Sequence, residues 1–105
     1  KLPTWLAPAQ VKILPISDKF ADYAKTILDK LKKVDIRASI DDRNEKIGKK
    51  IRDTELLKVP YMIVIGEKEA AEGKVSVRRQ GKGDEGAKDA DEFVAQIKAE
   101  IESRS

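Results

Sequence analysis

The sequence predicts an α/β domain, with a mixed, mostly parallel sheet of about five strands and three helices packed on both faces. Two observations predict this fold class. Short apolar segments of strand length alternate along the chain with longer segments in which apolar residues recur at helical spacing. One short segment, Tyr61 to Ile65, is apolar throughout, which is typical of a central strand buried on both faces. The predicted order of elements is β-α-β-α-β-β-α, without an internal repeat.

Four strands have apolar patterns that predict their bounds. They are predicted at residues 11–16, 35–41, 61–65 and 74–79. In the second and fourth of these, apolar and polar residues alternate, which indicates one wetter face. Residues 1–9 hold two prolines and are expected to form an extended lead-in before the domain itself at 10–105. Residues 80–88 are rich in glycine and are expected to form a mobile loop.

Three helices are predicted from apolar residues at helical spacing. Each is preceded by side chains that commonly cap a helix N-terminus. These are Ser17 or Asp18 for the first helix, Asp42 with Glu45 for the second, and Asp89 with Glu92 for the third. The first helix is expected to end near Lys33, and the second to span residues 44–57 ahead of Pro60. Residues 67–73 are expected to form a turn or a short helical segment.

Composition excludes several classes of site. The chain has 105 residues, enough for one domain. It contains no Cys and no His, so disulfides, thiolate metal sites, zinc centres and Cys-based catalysis are not expected. The formal net charge of +3 permits nucleic-acid binding without requiring it. No apolar run approaches the ~20 residues of a membrane span and no signal peptide is visible, so we expect a cytoplasmic protein without a membrane partner.

The predicted second helix carries side chains suited to binding RNA. Ile47 and Ile51 fall together on one side and are expected to face the sheet. Asn44, Gly48 and Arg52 fall within an arc of about 80° beside that stripe, so an amide and a guanidinium flank a shallow recess. We expect these groups to contact an unstacked base, because sequence-specific RNA recognition favours single-stranded bases. The alternative is that Asn44 starts the helix, Gly48 allows close packing and Arg52 is a solvated charge.

Other polar residues are expected near that helix. Three lysines are placed on its outer side, where they can hold phosphates or simply be solvated: Lys46, Lys49 and Lys50. Glu69 follows the buried strand, at the edge where ligands bind in open α/β sheets, and can accept hydrogen bonds from a base. Arg78 and Arg79 end the last predicted strand on opposite faces, so only one of them can face a given site. The alternatives are a surface carboxylate and a strand-end arginine without a role.

Several motifs with uncommon residues at fixed spacing occur together. They are PTWLAPAQV at 3–11, RNEKIGKKIR at 43–52, VPYMIVIGEKE at 59–69 and GKVSVR at 73–78. On these motifs the chain, over about residues 2 to 102, resembles the C-terminal anticodon-binding domain of threonyl-tRNA synthetases, which are class II aminoacyl-tRNA synthetases. The resemblance implies the class IIa anticodon-binding domain fold. The chain departs from the family's pattern at Asp84, Glu85 and Gly86, where relatives often carry a more hydrophobic segment, and this departure concerns the packing of the loop.

The resemblance implies a role in tRNA recognition. In this family the domain recognises the second and third anticodon letters, G and U, which all threonine tRNAs share. The residues here that match the family's motif are Asn44, Lys46, Arg52, Glu69 and Arg78. Arg78 would hold the G in a bidentate contact. The side chains that would frame the G and the U are Asn44, Arg52 and Glu69.

The same resemblance implies partners and cofactors. The partners would be the anticodon stem-loop of threonine tRNA and the catalytic domain of a parent synthetase, which is itself expected to be a homodimer. The parent enzyme would use ATP, Mg²⁺ and a catalytic Zn²⁺, whereas no catalytic residue, metal ligand or cofactor is expected in this chain. Nothing in the sequence matches class II catalytic motifs, so the chain alone is not expected to aminoacylate tRNA.

Two other classes of function stay open from the residues alone. An α/β enzyme or nucleotide-binding domain would use the loop after the first strand to hold an anion, but the sequence LPISDKF has no glycine there. A stand-alone paralogue, or a dimerisation or protein-interaction module of the same fold, would need an exposed apolar patch. Leu56 and Leu57 are the candidates for such a patch, together with the WLAP segment of the lead-in.

Overall fold

The computed structural model describes residues 4–103, so the predictions for residues 1–3 and 104–105 lie outside the described part. The strands are β1 Val11–Pro15, β2 Ala38–Ile40, β3 Tyr61–Ile65, β4 Lys74–Arg79 and β5 Gly83–Asp89. The helices are α1 Ala21–Lys33, α2 Ile47–Leu56, α3 Glu67–Glu72 and α4 Ala90–Glu102, with 3-10 turns at Thr4–Leu6 and Asp18–Phe20. Within residues 4–103 the strands form one sheet, in the order β2-β1-β3-β4-β5.

The sheet is mixed, and most of its strands run in one direction. β1 pairs in parallel with both β2 and β3, whereas β4 pairs antiparallel with β3 and with β5. Among the described strands, β4 is therefore the one that runs against the other four. Three helices of ten or more residues accompany this sheet, together with the six-residue α3. The predicted fold class is confirmed.

α1 and α2 lie on opposite faces because the chain reverses its direction across the sheet. The β1-α1-β2 connection moves to one side of β1, and the β2-α2-β3 connection moves back to the other side. Since crossovers between parallel strands are nearly always right-handed, this reversal puts the two helices on opposite faces. The packing agrees: α1 and α4 share one hydrophobic core, to which the described α2 contributes no side chain. Leu14 and Met62 are buried on the other face.

The core lies between one sheet face and the pair α1 and α4. Alternate strand residues supply the sheet side: Val11, Ile13, Tyr61, Ile63, Ile65, Val75 and Val77. The helices supply the apolar stripes expected from the sequence: Ala24, Ile27 and Leu31 from α1, and Phe93 and Ile97 from α4. The rings of Tyr61 and Phe93 meet edge to face with their centroids 5.7 Å apart.

Residues 80–88 do not form the mobile loop that their glycines suggested. Gly83–Asp89 instead extends the sheet as β5, antiparallel to β4. Gly81 adopts a φ of +82°, which helps the chain to reverse between the two strands. Gly86, with a φ of +86°, lies next to Glu85, which is a β-bulge without a partner in the ladder. The prediction was wrong because these glycines serve a hairpin turn and a bulge.

The capping box predicted from Asp42 and Glu45 is also wrong. The N-cap residue of α2 is Lys46, and it makes no side-chain capping hydrogen bond. The carboxylate of Asp41 instead accepts a bond from the backbone N–H of Arg43, at 3.2 Å. This bond keeps the residues between β2 and α2 in a loop, so the helix begins later than predicted.

β2 is shorter than the predicted strand at 35–41. Asp35 has a left-handed backbone with a φ of +63°, and the N–H of Ile36 donates to the carbonyl of Leu31 at 3.0 Å. These residues therefore terminate α1 rather than begin a strand. The predicted cap at Asp89 is confirmed, because its carboxylate accepts from two backbone N–H groups at the start of α4.

The lead-in is not extended throughout, because it contains the 3-10 turn at Thr4–Leu6. Two side chains fasten it to the domain. Buried Gln10 donates to the carbonyl of Thr4 at 3.1 Å and accepts from the N–H of Arg37 at 2.8 Å. The Arg37 guanidinium donates to the carbonyls of Trp5 and Ala7. Hydrogen bonds therefore hold this segment against the domain along the entry to β2.

Candidate nucleic-acid interface

The carboxyl ends of β1, β2 and β3 form an edge from which the chain leaves the sheet, here called the carboxyl rim. The strand order reverses at β1, and in open α/β sheets ligands bind at such a reversal, beyond the carboxyl ends of the strands. Two segments expected to contact RNA leave from this rim. They are residues 41–46 after β2, and the turn at Gly66 after β3. The fold therefore brings both segments to one edge.

Glu69 is held in place at the rim by the start of α3. Its Oε1 accepts from the backbone N–H of Gly66 at 2.7 Å. The absence of a side chain at Gly66 favours this approach, since a Cβ there would lie 3.0 Å from the same oxygen and 3.2 Å from Ile16, and one of them would have to shift. Within residues 4–103, the other oxygen of Glu69 has no hydrogen-bond partner. The carboxylate can thus keep its capping bond and still accept a hydrogen bond from a base.

Arg78 and Arg79 lie on opposite faces of the sheet, as predicted. Arg79 lies on the core side, where its Nη2 is 3.2 Å from Glu100 and its guanidinium carbon is 5.1 Å from the ring centre of Tyr61. Arg78 pairs with Met62 in the ladder and is half-buried on the other face. In the described part of the chain, no hydrogen bond or ion pair engages its guanidinium. Of these two neighbours, Arg78 is therefore the arginine whose guanidinium is available to a ligand.

The pairing register places Arg78 in a row that crosses the sheet. The row runs through Ser39, Lys12, Met62, Arg78 and Asp84. Lys12 donates to the hydroxyl of Ser39 at 3.1 Å, and it lies two strands from Arg78, which is roughly 10 Å across the sheet. Lys12 was not among the residues predicted from the sequence to contact RNA. Its signal was a lysine inside an otherwise apolar strand, on the face opposite the core.

The prediction that Lys50 lies on the outer side of α2, where it could hold a phosphate, is wrong in its placement. Its side chain is 4% exposed. The ammonium donates to the carbonyls of Pro15 at 3.2 Å and Asp41 at 3.1 Å, which ties α2 to the ends of β1 and β2. Thr54, one turn further along, is also buried, whereas Ile47 and Ile51 are only half-buried. The helix therefore turns Lys50 and Thr54, rather than the two isoleucines, most directly toward the sheet.

Asn44 lies in the loop before α2 and not on the helix. The N–H of Glu45 donates to the carbonyl of Arg43 at 2.9 Å, which makes Asn44 the central residue of a γ-turn. Its side chain is exposed. Of the three residues predicted to lie beside each other on this helix, only Gly48 and Arg52 are therefore on α2.

Arg43 fastens this loop at both ends. Its Nε and Nη2 donate to the two carboxylate oxygens of Asp41 at 2.9 and 2.7 Å. Its Nη1 donates to Asp53 of α2 at 2.9 Å. The hydrogen bonds from Arg43 are the largest cause of a lowered pKa at both Asp41 and Asp53. Arg43 is the first residue of the motif RNEKIGKKIR, but the sequence did not assign it a role.

The remaining predicted residues are accessible to solvent. Lys46, Lys49 and Arg52 are exposed, and Arg52 lies about 200° around the helix from buried Lys50. Lys49 pairs with Asp53 at 3.2 Å, and in the described chain Lys46 and Arg52 have no polar partner. Asn44, Lys46 and Glu69 are thus near the carboxyl rim, while Arg78 pairs with Met62, three residues before the end of β3, so it lies ~10 Å back from the rim toward the amino end of that strand. This spacing suits more than one nucleotide.

Other kinds of site find no support in residues 4–103. No group of three or more acidic, His or Cys side chains is arranged to hold a metal ion there. A surface cleft of about 500 Å³ lies between the lead-in, the end of α1 and β2, away from the crevice between β1 and β3. No helix in the described chain is long and apolar enough to span a membrane.

A protein family, curated proteins and solved structures all match this chain. Residues 10–100 match the family described as an anticodon binding domain. The threonine–tRNA ligase of Clostridioides difficile is 58% identical over 104 residues, which cover 99% of this chain and 16% of that protein. The solved RNA-binding domain of the threonyl-tRNA synthetase from Cryptosporidium parvum is 36% identical with a TM-score of 0.87, covering 100% of this chain and 26% of that one.

A second solved structure has the same fold. The prolyl-tRNA synthetase of Cryptosporidium parvum is 25% identical with a TM-score of 0.85, covering 98% of this chain and 22% of that one. The chain spans about one sixth of the length of the curated ligases that it matches. The predicted resemblance to the anticodon-binding domain of threonyl-tRNA synthetases is confirmed. This chain belongs to the anticodon-binding domain family.

Proposed function

We propose that this domain reads the G and U letters of threonine tRNA anticodons through hydrogen bonds to base edges. The observation that carries the proposal is the difference between two adjacent arginines. Arg79 is held by Glu100 and the ring of Tyr61, whereas the guanidinium of Arg78 has no polar partner within residues 4–103. An arginine in that state can donate to O6 and N7 of a guanine in a bidentate contact without first breaking an internal ion pair.

The other predicted side chains have complementary roles in this proposal. Glu69 accepts from a base edge with its free oxygen, and the amide of Asn44 can both donate and accept. Arg52, Lys46 and Lys49 are exposed cations suited to a base or a phosphate. We withdraw Lys50 from this set because its ammonium is buried.

We also propose that the domain acts as part of a longer threonine–tRNA ligase, since it spans about one sixth of such relatives. In that protein a separate catalytic domain would bind ATP, Mg²⁺ and a Zn²⁺ ion and carry out aminoacylation. The whole ligase would be a cytoplasmic homodimer. The binding energy for tRNA would then come from two domains. This domain would contact the anticodon, and the catalytic domain would contact the acceptor end of the tRNA.

The test is binding of this chain to a threonine anticodon stem-loop at low salt, beside stem-loops with the central G changed to A or the third letter U changed to C. Arg78→Ala should remove the preference for G, a loss of about 1–3 kcal/mol, or roughly 5- to 150-fold. Arg79→Ala is the matched control, because it removes the same charge from the next position on the core side. It should keep the preference for G although it destabilises the fold.

Equal binding of the wild-type chain to all three stem-loops would contradict base reading. An equal loss in both arginine variants would instead indicate general attraction to phosphate.

A dimerisation or protein-interaction module is the second candidate function. Leu56 and Leu57, at the end of α2, are 74% and 70% exposed. Large exposed apolar side chains next to each other are typical of protein interfaces. Sedimentation of the wild-type chain and of Leu56→Ser/Leu57→Ser tests this candidate: a dimer that the double variant loses, without any change in RNA binding, would support it.

A further inference from the structure

We propose that Arg43 is a positioning residue that holds Asn44 in a preformed state for RNA binding; this inference rests on the proposed function. Three bonds fix its guanidinium, two to Asp41 and one to Asp53. The backbone N–H of Arg43 also donates to Asp41, and its carbonyl closes the γ-turn around Asn44. Each of these five hydrogen bonds in the turn thus has Arg43 as a partner.

The two anchors of Arg43 are themselves fixed to different parts of the domain. Asp41 is 5% exposed, its N–H donates to Ile13 of β1, and its carbonyl accepts from buried Lys50. Asp53 lies on α2, where Lys49 also bonds it at 3.2 Å. The Arg43 side chain therefore spans from the rigid end of β2 to α2, across the loop that carries Asn44 and Lys46.

The geometry separates this role from direct RNA binding. Arg43 is 44% exposed at the side chain, but three of its five N–H donors are already bonded to two carboxylates, so a phosphate would have to approach beside two negative charges. A lysine cannot make the same contact, because one ammonium cannot bond both oxygens of Asp41 and reach Asp53 in the planar arrangement of a guanidinium. Restricting a loop before binding lowers the conformational entropy that binding costs.

The experiment uses the full chain with Arg43→Lys and Asp53→Asn, and with Lys49→Met as the control. Lys49→Met removes the other partner of Asp53 and leaves all three Arg43 bonds in place. Amide hydrogen exchange of residues 42–46 is measured without RNA. The dissociation constant for the threonine anticodon stem-loop is measured for the wild-type chain, Arg43→Lys and Asp53→Asn, each alone and combined with Asn44→Ala. Lys49→Met is the control for hydrogen exchange only, because Lys49 is itself proposed to contact RNA.

We expect faster exchange at residues 42–46 in Arg43→Lys and Asp53→Asn but not in Lys49→Met. We expect each of the first two to weaken binding about threefold to tenfold. In the Asn44→Ala background the same changes should have a smaller effect, because the main residue that they position is gone. Arg43→Lys also keeps the positive charge, so any loss of binding that it causes reflects the loss of the guanidinium contacts with Asp41 and Asp53.

Unchanged exchange in Arg43→Lys would overturn the proposal. So would an equal loss of binding with and without Asn44, because Arg43 would then act on RNA directly. If the wild-type chain does not distinguish the G and A stem-loops, the proposed function fails, and hydrogen exchange alone decides whether Arg43 holds the turn.

Discussion

Replacing Lys50 by Met tests the placement of α2. Methionine has an unbranched side chain of similar length to the methylene chain of lysine, but it lacks the ammonium that donates to the carbonyls of Pro15 and Asp41. If Lys50 bound RNA instead, its replacement would weaken RNA binding and leave the free energy of unfolding unchanged. The structure predicts the reverse outcome.

The magnitude follows from the two carbonyl groups. Each loses a buried, charge-assisted hydrogen bond, and a buried acceptor left unsatisfied costs about 1–3 kcal/mol. Part of this cost is offset, because the variant no longer has to remove an ammonium from water. We therefore expect Lys50→Met to lower the free energy of unfolding by about 2–4 kcal/mol.

The assay is urea unfolding followed by circular dichroism, with Lys49→Met as the matched control. Lys49 is the preceding residue and its ion pair with Asp53 is exposed, so its loss should change stability little. RNA binding of both variants is then measured as a function of salt, under conditions where each is folded. A lost phosphate contact to a single strand would lower the salt slope by about 0.7. An unchanged free energy of unfolding in Lys50→Met, together with such a drop in slope, would refute the placement of this lysine.

Three further predictions test the rim, the loop and a helix end. Gly66→Ala should displace the Glu69 carboxylate, whose Oε1 would lie 3.0 Å from the new Cβ. The free energy of stem-loop binding should therefore fall by more than the free energy of unfolding. The pKa of Asp41 is lowered in the fold, first by hydrogen bonds from the Arg43 side chain, so the stability that it contributes is complete above about pH 4 and is lost as pH falls through the folded pKa. In Asp41→Asn the free energy of unfolding should vary less with pH below pH 4, and an unchanged pH dependence would contradict the pairing. Lys58→Gly should raise the free energy of unfolding by about 0.5–1 kcal/mol, because Lys58 has a left-handed backbone with a φ of +57° that glycine adopts at lower cost. A lower midpoint of thermal unfolding in this variant would contradict the prediction.

The elements that the sequence predicted well are those whose signal is local. The stripe of Ala24, Ile27 and Leu31 follows helical spacing, and the run at Tyr61–Ile65 follows strand length, so both were confirmed with little change. β5 was missed because an edge strand needs few apolar residues once a neighbouring strand supplies its hydrogen bonds. Its glycines, which indicated mobility, were required by a turn and a bulge.

The residues of the candidate site were named from the family motif, and their contact with RNA stays a prediction. Strand alternation predicted that Arg78 and Arg79 would lie on opposite faces, and the structure confirms this separation. Whether Asn44 lies on a helix depended on the contacts of Arg43 with Asp41 and Asp53, two residues on different elements. No local pattern carries that information.

The sequence by itself determined the fold class, the family resemblance and the residue types available for reading a base, because periodicity and motif spacing are properties of the chain alone. The tertiary structure decided which cations are free. Lys49 and Lys50 are neighbours of the same type, yet one is exposed and the other is buried beneath α2. The difference arises because the carbonyls of Pro15 and Asp41 converge on Lys50 only after β1 and β2 have paired. A buried ammonium needs such partners, and only the folded sheet supplies them.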